Sequence, residues 1–371
     1  MSFLIDSNSV AHRNSIRFAL IGAVTAVLGL HLQTAQAQDK WYPFSVEVWD
    51  PPFKADSPRK DSVYEPLMLA AKKWRICVFF PHLKDAYWLG VNFGIAAEAK
   101  RLGIEMDLYE AGGYEHLARQ IEQIRQCMNK KPDGLIVAAI SATGLNEVVA
   151  EARTKSLPVV DLVNGMSSDQ ISARSAVSFR DMGLKTGQHL VNSAAKLDRE
   201  VGVAWFPGPK EAAWVTAGDD GFRAALQGSS VKIVTTRFGD TGLQRQESLI
   251  TEALATIKGI DFIVGTAVTA EAAINVLRKQ KLTDKIKVMA YYYSPGVHRG
   301  IERGTIVGAP TDQQAIQGRI AIDQVARILE GKPHLRHVGP KIKIVDETSI
   351  KNFDSTTSLA PVGFRPIMSV N

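Results

Sequence analysis

The sequence predicts an α/β fold made of two Rossmann-like lobes, each built on a parallel sheet. Three observations carry this. From Arg75 onward, short apolar runs of strand length alternate with helical stretches, the signature of right-handed crossovers between parallel strands. Runs such as Ile76-Cys77-Val78-Phe79-Phe80 are continuously apolar, as strands covered on both faces are. About ten such strands exceed one doubly wound sheet, and 371 residues suit two lobes better than one.

The elements follow in order. Residues 1–37 read as an export leader. His12, Arg13 and Arg17 precede the apolar run Phe18 to Leu30, and Ala35-Gln36-Ala37 has the small-x-small form of a cleavage site. The run falls short of the roughly 20 residues a membrane span needs. Residues 38–74 form an N-terminal extension in which prolines and aromatics mix without a regular period. In the first lobe, strands are predicted at 76–80, 104–109, 134–139 and 158–163, and helices at 88–102, 114–129 and 145–154. Gly103 closes the first of these helices. Further strands are predicted at 174–179, 200–206, 231–237, 260–265, 286–292 and 305–309. The matching helices are 182–196, 211–227, 243–257, 268–280 and 312–330. The resulting plan gives 75–178 with 311–330 to the N-terminal lobe and 179–310 with 331–347 to the C-terminal lobe. Residues 348–371 are left as a C-terminal tail.

Several functions find no support. A net charge of +6 without a dense Lys/Arg block argues against nucleic acid as partner. No phosphate-cradling loop, nucleophile elbow or zinc helix motif occurs, and the histidines lack ligand spacing, so no metal, cofactor or catalytic residue is assigned. His82, His116, His189 and His298 read as surface or boundary residues. Cys77 and Cys127 are either a disulfide, as an oxidising compartment allows, or two buried thiols; their spacing does not decide.

The loops beyond the strands are informative. In parallel sheets, ligands sit past the carboxyl ends of the strands. That points to the loops after Phe80, Tyr109, Phe179, Arg237 and Tyr292, which are rich in aromatics. Candidate ligand contacts are Asp85, Tyr87, Trp88, Tyr114, Phe179 and Tyr292. Strand alternation separates Tyr292 from Tyr291 and Tyr293. Asp240 and Asp312 are lesser candidates, since each also suits a helix cap. Several ring faces with a carboxylate suit a methylated, positively polarised nitrogen.

The segments Pro81-His82-Leu83-Lys84-Asp85-Ala86-Tyr87-Trp88, Glu110-Ala111-Gly112-Gly113-Tyr114, Gly265-Thr266-Ala267-Val268 with Glu271-Ala272-Ala273, and Gly363-Phe364-Arg365-Pro366 carry a resemblance. From about Trp41 to the C-terminus the chain resembles the TorT family of periplasmic sensors, within the type I periplasmic binding protein architecture. The resemblance implies a periplasmic protein, not an enzyme, that closes around trimethylamine N-oxide. Its implied partner is the periplasmic sensor domain of a TorS-type membrane histidine kinase. Asp85, Tyr87, Trp88, Tyr114 and Tyr292 fall where the family's aromatic box falls. Phe179 stands where the family carries a Trp; a Phe face attracts a methylammonium more weakly and lacks the indole N–H. The implied ligand is therefore trimethylamine N-oxide or a related methylated amine. Cys77 and Cys127 match the family's cysteines, which implies the disulfide. The alternative is a transport receptor of the same fold for a sugar or small polar solute. Gly265-Thr266-Ala267-Val268 offers no acidic or amide side chain where sugar-binding relatives usually carry one.

Overall fold

Burial on both faces explains the strand runs of the sequence. In the computed structural model, which describes residues 41–371 apart from position 55, Ile76 to Phe80 are buried without exception. The export leader of residues 1–37 lies outside the described residues.

The chain runs β1 (Phe44–Trp49), β2 (Arg59–Tyr64), β3 (Arg75–Phe80), α1 (Ala86–Leu102), β4 (Glu105–Glu110), α2 (Leu117–Asn129), β5 (Gly134–Val137), α3 (Asn146–Thr154), β6 (Val159–Leu162) and β7 (Ala173–Ser175). It continues with α4 (Phe179–Ala194), β8 (Val201–Phe206), α5 (Ala213–Leu226), β9 (Val231–Thr236), α6 (Leu243–Thr256), β10 (Phe262–Gly265), α7 (Ala267–Gln280), β11 (Lys287–Ala290), α8 (Pro295–Glu302) and β12 (Gly308–Thr311). It ends with α9 (Gln314–Leu329), β13 (His337–Pro340), β14 (Lys343–Asp346) and β15 (Ser369–Val370).

One sheet has the order β15-β4-β3-β5-β6-β7-β13-β1-β2, and its β4-β3-β5-β6-β7-β13 interior is parallel. A second, wholly parallel sheet has the order β11-β10-β8-β9, and β12 pairs antiparallel with β14. The chain crosses between the two halves after β7, after β12 and after β13.

Three boundaries differ from those the sequence predicts. The extension 38–74 holds β1 and β2, which widen the first sheet with antiparallel strands. The alternation Val46, Val48 buries Val46 completely, but Pro43 and Pro51 bracket the run and hide it. The span 331–347 does not stay in the second half. His337–Pro340 enters the first sheet between β7 and β1, and only β14 returns to pair with β12. The tail 348–371 ends as an edge strand on β4.

Helix packing then sets the site. α4 and α5 pack closely because Gly183 faces the backbone of Gly218 and Gly221 faces the carbonyl of Arg180; a Cβ at either position would collide with that backbone. Their first residues, Phe179 and Ala213-Trp214, are thereby brought side by side.

Candidate ligand-binding site

The loops beyond the carboxyl ends of the strands meet around one cavity. Its lining is Asp85, Tyr87, Trp88, Tyr114, Val163, Asn164, Phe179, Trp214, Thr241 and Tyr292. The room left for the centre of a water-sized sphere is only about 20 Å³, so the hollow is small. The six candidate residues Asp85, Tyr87, Trp88, Tyr114, Phe179 and Tyr292 are all part of the lining.

Each is positioned for a local reason. Asp85 caps α1, accepting a hydrogen bond from the Tyr87 N–H at 2.6 Å, so the helix begins with Tyr87 and Trp88 turned into the loop region. The Tyr87 hydroxyl donates to Asp312 Oδ2 at 2.6 Å, and Gln317 Nε2 donates to the same oxygen. Tyr292 donates its hydroxyl to Asp85 Oδ2 at 3.0 Å, joining the two halves. Tyr87 and Tyr292 meet edge to face at 5.2 Å between ring centroids, and Tyr87 and Trp88 likewise at 5.4 Å.

Tyr114 is held from behind. Asn164 Nδ2 donates to its hydroxyl at 3.1 Å and to the Ala139 carbonyl at 2.8 Å. Asn164 reaches this place through Val163, whose φ of 64° puts a β-branched residue in the left-handed region. The Asn164 N–H donates to the Leu162 carbonyl across that turn. Such a backbone costs on the order of 1–3 kcal/mol and is kept where the surroundings over-determine it.

Phe179 is not at a strand end, as 174–179 predicts. β7 stops at Ser175, Ser178 caps α4 by accepting from the Asp181 N–H, and Phe179 is the helix's first residue. Its ring lies 6.0 Å from that of Trp214. Tyr291 fixes both helix starts, because its hydroxyl reaches the carbonyls of Phe179 and Trp214, each at 3.2 Å. β11 stops at Ala290, so the three tyrosines lie beyond the strand. Tyr291 and Tyr293 are fully buried behind the cavity, and Tyr292 lines it.

Neither Asp240 nor Asp312 lines the cavity. Asp240 accepts from the Gly242 N–H and pairs with Lys84 at 2.7 Å, bridging the two halves at the rim. Asp312 stands one layer back, where its role is to orient Tyr87.

Sequence reasoning misses four residues. Trp214 opens α5 as Trp88 opens α1, just past a buried strand, and the apolar run of β8 before it was the available signal. Asn164 and Thr241 also follow strands directly or nearly so. His82 is no surface residue: it is 1% exposed, its Nε2 is 3.1 Å from Thr241 Oγ1, and its ring lies edge-on to Tyr114.

Burial governs the electrostatics. Loss of solvent raises the Asp85 carboxyl to about 6, although hydrogen bonds from Tyr87 and Tyr292 oppose the rise. Burial lowers His82 to about 4, with Lys84 adding to the effect, so His82 is neutral. Asp312 is raised by the same loss of solvent. The site thus holds a desolvated carboxyl group inside an aromatic shell, an arrangement that favours an incoming positive charge.

Cys77 and Cys127 are joined by a disulfide that ties β3 to α2, with Cα atoms 6.7 Å apart.

The family model for the periplasmic binding protein domain matches residues 76–333. Periplasmic protein TorT of Escherichia coli (strain K12) is 35% identical over 298 residues, covering 80% of this chain and 85% of that protein. The crystal structure of an ABC transporter solute binding protein from Bradyrhizobium sp. BTAi1 with bound bis-tris is 48% identical. It has a TM-score of 0.78 and covers 90% of this chain and 100% of its own. The TorS sensor domain–TorT complex in the presence of TMAO contributes a chain that is 31% identical at a TM-score of 0.73, covering 80% of this chain and 100% of its own. The chain is a periplasmic protein, similar along most of its length to TorT, and it belongs to the periplasmic binding protein family.

Proposed function

We propose that this protein binds trimethylamine N-oxide or a closely related methylated amine in the aromatic cavity. Closure around the ligand then presents a surface that the periplasmic sensor domain of a membrane histidine kinase reads. The observation that carries the reading is the convergence of six aromatic rings and the Asp85 carboxylate on one small buried hollow. A ring face attracts a methylated nitrogen by about 0.5–2 kcal/mol once water is excluded. A sugar would need its many hydroxyls paired, and most of the lining is ring surface.

The contacts across the cleft supply a mechanism. Asp85–Tyr292, Lys84–Asp240 and His82–Thr241 each join residues of different halves, and they form only when the lobes are together. A ligand that touches both walls favours this state by its differential affinity. Two similarities support the reading. TorT has been crystallised with the TorS sensor domain in the presence of TMAO. The 48% identical solute binding protein was crystallised with bis-tris, a tertiary amine that also carries five hydroxyl groups.

That same relative favours a second reading of the output: the protein delivers its solute to an ABC permease rather than to a kinase. Two experiments separate and test these readings. Calorimetric titration of the mature protein with trimethylamine N-oxide should give saturable heat, whereas D-hexoses should give none; the reverse result rejects the ligand. Co-purification with a kinase sensor domain, strengthened or weakened by ligand, should then be seen. Its absence, with ligand-stimulated transport by a permease, selects the second reading.

A further inference from the structure

We infer that Trp214 donates its indole N–H to an acceptor oxygen on the bound solute. Trp214 thereby selects, among methylated nitrogen compounds, those with an oxygen beside the nitrogen; this rests on the methylated-amine reading of the cavity. Trp214 is 5% exposed and lines the cavity, yet among the described residues its buried Nε1 has no hydrogen-bond partner. Two other indoles of the chain are paired. Trp205 Nε1 donates to Asp219 at 2.8 Å and Trp74 Nε1 to Glu330 at 3.2 Å. A buried donor left unmade is costly, and its retention in a site calls for an acceptor that arrives from outside.

The donor has company and is held firmly. The Tyr114 hydroxyl is its neighbour, on a ring 6.1 Å away, and no hydrogen bond of good geometry joins the two. That hydroxyl already accepts from Asn164, so its own proton is also available to a guest. The Trp214 ring stacks on Tyr291 at 6.1 Å and lies tilted against Phe179 and Tyr114. Gly208, at φ 119°, leaves the room that the indole edge occupies; a Cβ there would press on it. Two donors on residues that line an aromatic shell match an N-oxide oxygen or a carboxylate set close to a methylated nitrogen. Trp214 also supplies, from α5, the indole N–H that Phe179 lacks on the neighbouring helix.

The test uses Trp214→Phe, which keeps a ring face and deletes the donor. Affinities for trimethylamine N-oxide and tetramethylammonium, which has the methylated nitrogen but no oxygen, are compared by calorimetry. The N-oxide should weaken by about tenfold to a hundredfold, the worth of a hydrogen bond to a charged acceptor, while tetramethylammonium should change less than about threefold. Equal losses for both compounds, or no loss for either, would overturn the inference. A second measurement needs no variant to bind ligand. In the wild-type protein the Trp214 indole N–H resonance should move downfield with the N-oxide and stay in place with tetramethylammonium; an unmoved resonance in the N-oxide complex overturns the inference. Wild-type protein that binds tetramethylammonium as tightly as the N-oxide overturns this inference alone. Wild-type protein that binds neither rejects the methylated-amine reading and this inference with it.

Discussion

Asp85→Asn should make the ligand-free protein more stable and the ligand bind less well. Asp85 is 5% exposed, and loss of solvent lifts its carboxyl from 3.8 to about 6. A group whose folded value is raised contributes its full stability below the unfolded value and loses it as pH rises through the folded one. Ligand-free protein therefore loses stability between about pH 4 and pH 6, in total on the order of 3 kcal/mol. Asn keeps the cap on α1, because its oxygen still accepts from the Tyr87 N–H. The gain from Asp85→Asn should thus appear at pH 8, reach at most ~3 kcal/mol, and vanish near pH 4. The same change removes the charge facing a methylated nitrogen, so affinity for trimethylamine N-oxide at pH 8 should fall by about tenfold to a hundredfold. Denaturant melts at pH 4 and pH 8, with calorimetric titration at pH 8, read both effects. A variant equally destabilised at both pH values, or one with unchanged affinity, would refute the reasoning that Asp85 is a buried charge kept for the ligand.

Three further outcomes follow from the same contacts. Lys84→Ala and Asp240→Ala remove an ion pair that is about one-third exposed on the Lys84 side, so each should weaken ligand binding by about two- to fivefold; the loss should shrink at high salt, and titrations at two ionic strengths check it. His82 is buried neutral with its value lowered from 6.5 to about 4, so its contribution is intact above 6.5 and is lost as pH falls through 4; His82→Gln should flatten that acid limb in melts between pH 7 and pH 4, opposing the Asp85 effect over the same window. Reduction of Cys77–Cys127, or Cys77→Ser with Cys127→Ser, should cost about 2–4 kcal/mol because the bridge closes a loop 50 residues apart in sequence; thermal melts with and without reductant measure it.

The parallel strands were legible because burial on both faces leaves continuous apolar runs. Ile76–Phe80 and Val201–Phe206 are examples. Edge and bridging strands carry no such signal. β1 lies between prolines, and β13 is four residues whose sheet membership is decided by its neighbours β7 and β1. Phe179 shifted from strand to helix because Ser178 can cap α4, a local competition that the apolar run 174–179 hides. In the site, the rule that ligands lie past strand ends located Trp88, Tyr114 and Tyr292, since those loops are short and their direction is set by the sheet. Trp214 escaped it because its place depends on how closely α4 and α5 approach, which small residues at Gly183 and Gly221 permit. His82 escaped it because burial of a histidine depends on Thr241, a residue distant in sequence.

The central claim is that the rings from both halves surround a methylated nitrogen. A crystal structure of the mature protein grown with trimethylamine N-oxide tests it most directly. The account predicts the nitrogen enclosed by Trp88, Phe179 and Tyr292, with the oxygen at the Trp214 and Tyr114 donors. An empty cavity at saturating ligand, or a ligand seated elsewhere, would contradict it.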